Sequence, residues 1–598
     1  MLKNIRIFKS VSIGIIFWIT TLEIASDNLQ LSVQTSSGLV AGTKESRIIL
    51  YEDIPYAEPP INELRWQPPQ PIKDSGKSIE PKESNHCYQE TDSLQDIQNF
   101  GTEDCLYLDI RVPQSQNKNL PVMFWIHGGG NTSGTKDFYD FSRLVAKKEV
   151  IVVSINYRLG IFGFFTHSAI QTAGVEPSNF GILDIIEALK WVQKNIKNFG
   201  GDPENVTIFG ESAGGHNVYA LLVSKQAKGL FHKAISQSGY TESSSLQNAY
   251  KPDEINRKDS ADSWSVFNRL LVQKGISISI EDADRLQSKL SLEEQKKLLL
   301  ESTSADLLQL YENTIEEPLL TNDGVVIPKD GLLAALGKPE HLNKVPVLAG
   351  SNRDEVKLWI GTSEYFLETK FSPLGRILNI PSLVIKNEDL YNFYNKIRAE
   401  GWQLRGVIEP LEQIFNTGNN NLYAYRFDWD DERNLFIADF QSIIGASHAL
   451  EIAFISGDFK FLGKYSPLIY PRSPSRNFTS RNMMNFWANF SKTGNPGTST
   501  NDIEWTRYNP NNEKNFMILD KRKDMELKAI DINMPDIVAS IYNSNLLNLE
   551  EKCILLYETT TYLGSDSFQT YLTDPLSGFC SVSKAREISE ANRGYYEY

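Results

Sequence analysis

The chain has 598 residues, 41% of them hydrophobic and 23% charged, an ordinary balance for a globular protein. Its 75 acidic residues outnumber 60 basic ones, and no basic patch or internal repeat stands out, which argues against nucleic-acid binding. Seven histidines form no His-x-x-x-His pair and four cysteines no Cys-x-x-Cys, so neither a metal nor a cofactor is expected.

Lys3, Arg6 and Lys9 precede an apolar stretch from Val11 to Leu22, and the small residues Ala25 and Ser26 follow it. This is the pattern of an export signal over residues 1–26, with an uncleaved anchor as the alternative. The apolar core is too short for a comfortable membrane span, and the C-terminus carries no apolar tail. A secreted or periplasmic protein is expected, a setting that permits disulfides.

Further along, Pro121-Val122-Met123-Phe124-Trp125-Ile126 reads as a buried strand that opens into His127-Gly128-Gly129-Gly130. Consecutive glycines leave backbone N–H groups accessible, with no Cβ in the way. From Asp184 to Ile196, apolar residues recur at helical spacing (Ile185, Ala188, Leu189, Val192, Ile196). The β-prone run Val206-Thr207-Ile208-Phe209 and the helix-compatible run from Gly215 to Val223 flank Gly210-Glu211-Ser212-Ala213-Gly214. Strand, very tight turn and helix is the context in which a G-x-S-x-G serine stands above the strand ends as a nucleophile. Val345-Pro346-Val347-Leu348-Ala349-Gly350 reads as another buried strand, and it runs into Ser351-Asn352-Arg353-Asp354-Glu355. After Leu527 a helix is expected over residues 543–557, before a stretch rich in Ser, Thr and Tyr. Strand runs alternating with amphipathic stretches predict an α/β fold: a large, mixed, mostly parallel central sheet with helices on both faces.

A neutral serine hydroxyl needs a base. In α/β-hydrolases the chain order is serine, acid, histidine. His86, His127 and His167 precede Ser212 and drop out on order. His216 is locked in the helix beside the serine, His232 leaves no room for an intervening acid strand, and His341 sits in a polar loop. His448 remains, far downstream among small residues. The acid belongs after the 345–350 strand, where the residues themselves leave Asp354 and Glu355 both open. The glycines at 128–130 supply the donors of an oxyanion hole.

Several further blocks carry a family resemblance. They are Tyr56-Ala57-Glu58-Pro59-Pro60 with Leu64-Arg65-Trp66, then Glu103-Asp104-Cys105-Leu106-Tyr107-Leu108-Asp109-Ile110, then Tyr157-Arg158-Leu159-Gly160-Ile161-Phe162-Gly163-Phe164, and Asn198-Phe199-Gly200-Gly201-Asp202-Pro203. From Val33 to Leu527 the chain resembles the type-B carboxylesterases, a family that includes the cholinesterases. The resemblance implies Ser212, Glu355 and His448 as catalytic residues, with Glu355 preferred over Asp354. It also implies oxyanion donors at Gly129, Gly130 and Ala213, a Cys87–Cys105 disulfide, and buried structural ion pairs Arg65–Glu103 and Arg158–Asp184. Pairing of Cys553 with Cys580 stays open. One catalytic domain is expected over residues 27–527, with 528–598 an extension wrapped on it or partly disordered.

Departures from the family narrow the expectation. Between Cys87 and Cys105 there is no tryptophan, so the cation-binding ring of cholinesterases is unsupported there, although another of the ten tryptophans could reach the site. Glu211 precedes the serine where juvenile-hormone esterases typically have Gln. A small-molecule ester is the expected partner, and a broad-specificity carboxylesterase the expected activity. A specialised cholinesterase or lipase is the alternative, and a binding or adhesion module on the same scaffold the second. Asn131, Asn205, Asn477 and Asn489 stand in N-x-[ST] sequons.

Overall fold

The structure is a computed structural model. It describes residues 31–591 apart from 74–75, 83–84, 91–99, 172–174, 252–260, 312–319, 372–380, 436, 461, 512–513 and 562–564. The proposed export signal therefore lies outside the described residues.

The centre is an 11-stranded sheet. In chain order its strands are β1 (Thr43–Glu45), β2 (Ile48–Pro55), β3 (Tyr107–Pro113), β4 (Leu120–Ile126), β5 (Ile151–Ile155), β6 (Gly201–Glu211), β7 (Lys233–Gln237), β8 (Val347–Asn352), β9 (Leu422–Phe427), β10 (Asn515–Leu519) and β11 (Glu526–Ala529). In space they run β11-β10-β9-β8-β7-β6-β4-β5-β3-β2-β1. Strands β10 through β5 in that order are parallel. The strands beyond them at both edges are antiparallel. This is the mixed, mostly parallel α/β-hydrolase sheet.

Parallel strands buried on both faces read as continuous apolar runs, and β4 divides its side chains accordingly. Val122, Phe124 and Ile126 enter one core together with helix α1 (Phe180–Asn195) and helix α2 (Ala213–Val223). Met123 and Trp125 alternate into a second core on the opposite face. Later in the chain come helix α3 (Glu388–Gln403) and helix α4 (Pro474–Thr493), the latter covering that second face.

The C-terminal region holds helix α5 (Met534–Asn543), helix α6 (Leu549–Thr560) and helix α7 (Val582–Ala591). The helix expected over 543–557 starts later, at Leu549, and runs to Thr560; residues 544–548 separate it from α5. Asn548 starts α6 with a capping box: it caps the Glu551 N–H at 2.9 Å, and Glu551 accepts from the Asn548 N–H at 2.7 Å. Cys553 and Cys580 are disulfide-bonded, and so are Cys87 and Cys105. Among the described residues no helix is long and apolar enough to cross a membrane.

Candidate active site

The candidate residues gather at the carboxyl ends of β4, β6 and β8, where ligand sites form in open α/β sheets. Strand β6 ends at Glu211 and α2 begins at Ala213, so Ser212 alone makes the turn. It has φ 57° and ψ −124°, a conformation that costs a non-glycine residue about 1–3 kcal/mol and persists only where its surroundings enforce it. The Ser212 N–H donates to the Gln237 carbonyl of β7 at 2.8 Å. The flanking glycines permit the close approach. A Cβ on Gly214 would lie 2.1 Å from the Ile126 carbonyl oxygen, and one on Gly210 would lie 2.7 Å from it.

The glycine loop after β4 lies directly beside this turn. A Cβ on Gly128 would lie 2.8 Å from the Glu211 carbonyl oxygen and 3.0 Å from the Ser212 Cβ. Gly129 and Gly130 have φ of 99° and 61°. His127 is buried and its ring stacks on Tyr157 at 4.5 Å; burial pushes its pKa down to about 4, so it is neutral. The next residue, Asn131, is buried and accepts from Asn217 at 2.9 Å, so its sequon is closed to a glycan.

His448 Nδ1 lies 2.6 Å from Glu355 Oε2, with Glu355 fully buried. The other carboxylate oxygen accepts from the Asn352 N–H at 2.7 Å. Asp354 points elsewhere: its partners are Arg353, Lys357, Asn395 and the Ala446 N–H. Geometry thus separates the two carboxylates that the residues left open.

Two further glutamates lie beside His448: Glu211, marked in the sequence only as the residue before the serine, and Glu451, which the sequence did not mark. Glu211 Oε1 lies 3.0 Å from His448 Nε2, off the line of a hydrogen bond. Glu451 is buried three residues past His448 and accepts from Asn352 at 2.8 Å and Gln237 at 3.2 Å. Burial, reinforced by Glu451 and Glu355, pushes the Glu211 carboxyl up to about 8 despite the pull of His448. Burial lowers the His448 pKa, but Glu211, Glu355 and Glu451 outweigh it and raise it to about 9. Each shift depends on the charge of the other group, so Glu211 and His448 titrate as a pair.

Two tryptophans also reach the imidazole. The rings of Trp359 and Trp402 lie 5.0 and 4.9 Å from that of His448, and 6.0 Å from each other in a stack. Trp359 belongs to the helical turn Lys357–Ile360 just after Glu355, and Trp402 to the last turn of α3. The Arg405 guanidinium lies 4.6 Å over Trp402 and pairs with Glu242 at 2.6 Å. Helical spacing marks such residues as apolar, and nothing in it shows which of them meet a distant histidine.

The two expected ion pairs form. Arg65 bonds Glu103 through two contacts of 2.8 and 2.6 Å. Arg158 bonds Asp184 through two of 2.7 Å, tying the segment after β5 to α1. Elsewhere Asp53, Asp109 and Asp137 converge, but Lys136 Nζ sits among them at 2.8, 3.0 and 2.6 Å and supplies the compensating charge.

Comparison with known proteins gives this arrangement a family. Residues 29–373 and 403–534 match the carboxylesterase family. The chain is similar to the para-nitrobenzyl esterase of Bacillus subtilis (strain 168), 31% identical over 513 residues, covering 83% of this chain and 96% of that protein. It is also similar to carboxylesterase 1D of Rattus norvegicus, 32% identical over 487 residues, covering 75% and 82%. Among solved structures, a PNB esterase has a TM-score of 0.60 at 28% identity, covering 83% of this chain and 97% of its own. The carboxylesterase EST55 of Geobacillus stearothermophilus has 0.62 at 27%, covering 85% and 99%. From its strand–turn–helix at Ser212, its sheet and these likenesses together, the chain belongs to the carboxylesterase family.

Proposed function

We propose that the chain is an exported serine carboxylesterase that hydrolyses small carboxylic esters through an acyl-enzyme intermediate. Ser212 Oγ attacks the carbonyl carbon while neutral His448 takes its proton. Glu355 holds the imidazole with its proton on Nδ1 and stabilises the imidazolium that forms. The N–H groups of Gly129, Gly130 and Ala213 receive the oxyanion, and each such donor is worth about 3 kcal/mol of barrier. Ala213 suits this role because it opens α2, where N–H groups have no intrahelical acceptor. The imidazolium then protonates the departing alkoxide. Water, deprotonated by His448, attacks the acyl carbon, releasing the acid and restoring Ser212.

The observation that carries this reading is the buried 2.6 Å contact between His448 and Glu355, with Glu211, the residue before the positive-φ Ser212, 3.0 Å from the same imidazole. The same residues speak against a binding module that has lost its chemistry. In this reading Arg65–Glu103 and Arg158–Asp184 are structural, and breaking one costs about 3–5 kcal/mol. The catalytic domain spans 27–527 and the remainder is its extension. Export is supported by the N-terminal pattern and the two disulfides. Sequencing the mature N-terminus tests export, and a start beyond residue 26 is expected. For the chemistry, a chain-length series of p-nitrophenyl esters is run on wild type and Ser212→Ala. Turnover in the first only is expected, and wild-type rates in the variant would overturn the reading.

A further inference from the structure

Beyond the N-terminal residues 1–28, two parts of the chain lie outside the family match: residues 374–402 and 535–598. In the fold they meet. Helix α3, nearly all of which falls in the first part, packs against α5 and α6. Glu558 of α6 is the joint. Its Oε2 lies 3.0 Å from Arg398 Nη1 and accepts from the Tyr394 hydroxyl at 2.6 Å. Only 6% and 12% of the Arg398 and Glu558 side chains are exposed. Nearby, a Cβ on Gly401 would lie 3.4 Å from Thr559 Cγ2, in ordinary van der Waals contact with α6. The Cys553–Cys580 disulfide staples α6 to the chain leading into α7.

One turn beyond Arg398 on the same helix is Trp402, whose ring meets His448. Past it the helix widens into a π-helical segment, Leu404–Ile408, a feature frequent at functional sites. That segment is anchored to the nucleophile side of the molecule. Trp402 Nε1 donates to the Ser238 carbonyl at 2.9 Å, and the Tyr219 hydroxyl of α2 donates to the Gly406 carbonyl at 2.6 Å. Trp402 is therefore held from one side by a loop of the sheet, and the helix that carries it is held from the other by the C-terminal helices.

We propose that Trp402 is a positioning residue for His448, and that Glu558 fixes it there from the C-terminal unit through Arg398 and α3. The proposal rests on the reading of His448 as the base. An imidazole bonded only through Nδ1 can still rock about that bond. A ring packed against it keeps Nε2 aimed at the serine proton, and a misplacement of about 1 Å can cost a hundredfold in rate. No residue of α5, α6 or α7 needs to touch the ester for this to hold.

The experiment compares Trp402→Phe, Trp402→Ala, Glu558→Gln and Glu558→Ala in the full chain. Glu587→Gln is the control, because Glu587 is 68% exposed and its partner among the described residues is Lys584 on its own helix. Organophosphate titration counts competent serines, so kcat is expressed per labelled site and unfolded protein drops out. Trp402→Ala is expected to lower kcat by about tenfold or more with KM nearly unchanged. Phe at 402 is expected to restore most of the loss. Both Glu558 variants are expected to lower kcat in the same sense, and Glu587→Gln to leave it as in wild type. The downfield proton resonance of the His448–Glu355 hydrogen bond is expected to broaden in Trp402→Ala and Glu558→Ala and to stay sharp in the control. Wild-type kcat per labelled site in Trp402→Ala, or a loss confined to KM, overturns the proposal, as does an unchanged resonance. If Ser212→Ala keeps its activity, the underlying assignment of the triad fails, a result separate from all of these.

Discussion

Asp354 and Glu355 are adjacent, both buried and both acidic, yet only one meets the imidazole. A carboxylate in that place stabilises the imidazolium, and its amide does not. Glu355→Gln is therefore expected to lower kcat by about a thousandfold or more while the protein stays folded. Asp354→Asn, which disturbs ties to Arg353 and Lys357, is expected to act on stability instead. Steady-state kinetics beside thermal melts separate the two, and a crippled Asp354→Asn with a mild Glu355→Gln would reverse the assignment. Glu211 allows a second prediction. Its negative charge raises the His448 pKa, as do Glu355 and Glu451. Removing that charge lowers the pKa, so the neutral base survives to lower pH. The acid limb of the kcat/KM profile in Glu211→Gln is expected to move to lower pH, and a shift upward would contradict the assigned electrostatics. The sequence showed the serine plainly because two glycines and a strand-to-helix change mark it. It showed neither Glu451 nor the tryptophans, because their roles come from packing across elements far apart in the chain.

At the scale of elements, the Ser212 turn is built on close approach of α2 to β4. Adding one methyl at Gly214 would place it 2.1 Å from the Ile126 carbonyl oxygen. Overpacking of this kind typically costs about 1–3 kcal/mol or more. Gly214→Ala is expected to lower Tm by several degrees and to reduce activity. Gly578→Ala, with nothing within 4 Å of its added Cβ, is expected to leave both unchanged. Equal melting of the two variants would show that β4 and α2 have slack the structure lacks. The strands were legible because parallel strands in a sheet covered on both faces are uniformly apolar. The C-terminal helices were less so. The Asn548–Glu551 capping box is written in the sequence and marks the start of α6. The contact of that helix with α3, including the Arg398–Glu558 pair and the Tyr394–Glu558 hydrogen bond, joins residues at a separation that periodicity does not encode.

For the whole molecule, a formal charge of −15 invites the idea of a cationic substrate. Net charge acts on solubility and encounter more than on a site. Trp402 does reach His448, but the Arg405 guanidinium already lies 4.6 Å over its ring. A second cation there meets a like charge and gains little. A choline ester and its neutral carbon isostere are expected to have kcat/KM within about tenfold at low salt, a difference of about 1.4 kcal/mol. A larger preference for the charged ester would move the chain towards the cholinesterases. The central claim concerns one atom, Ser212 Oγ, as the group that becomes acylated. It is tested most directly by treating the purified protein with an organophosphate and locating the adduct by mass spectrometry of peptides. Stoichiometric labelling of Ser212, with activity lost in parallel, is the predicted result. A protein that hydrolyses esters while Ser212 stays unmodified, or one whose label falls on another serine, would contradict it.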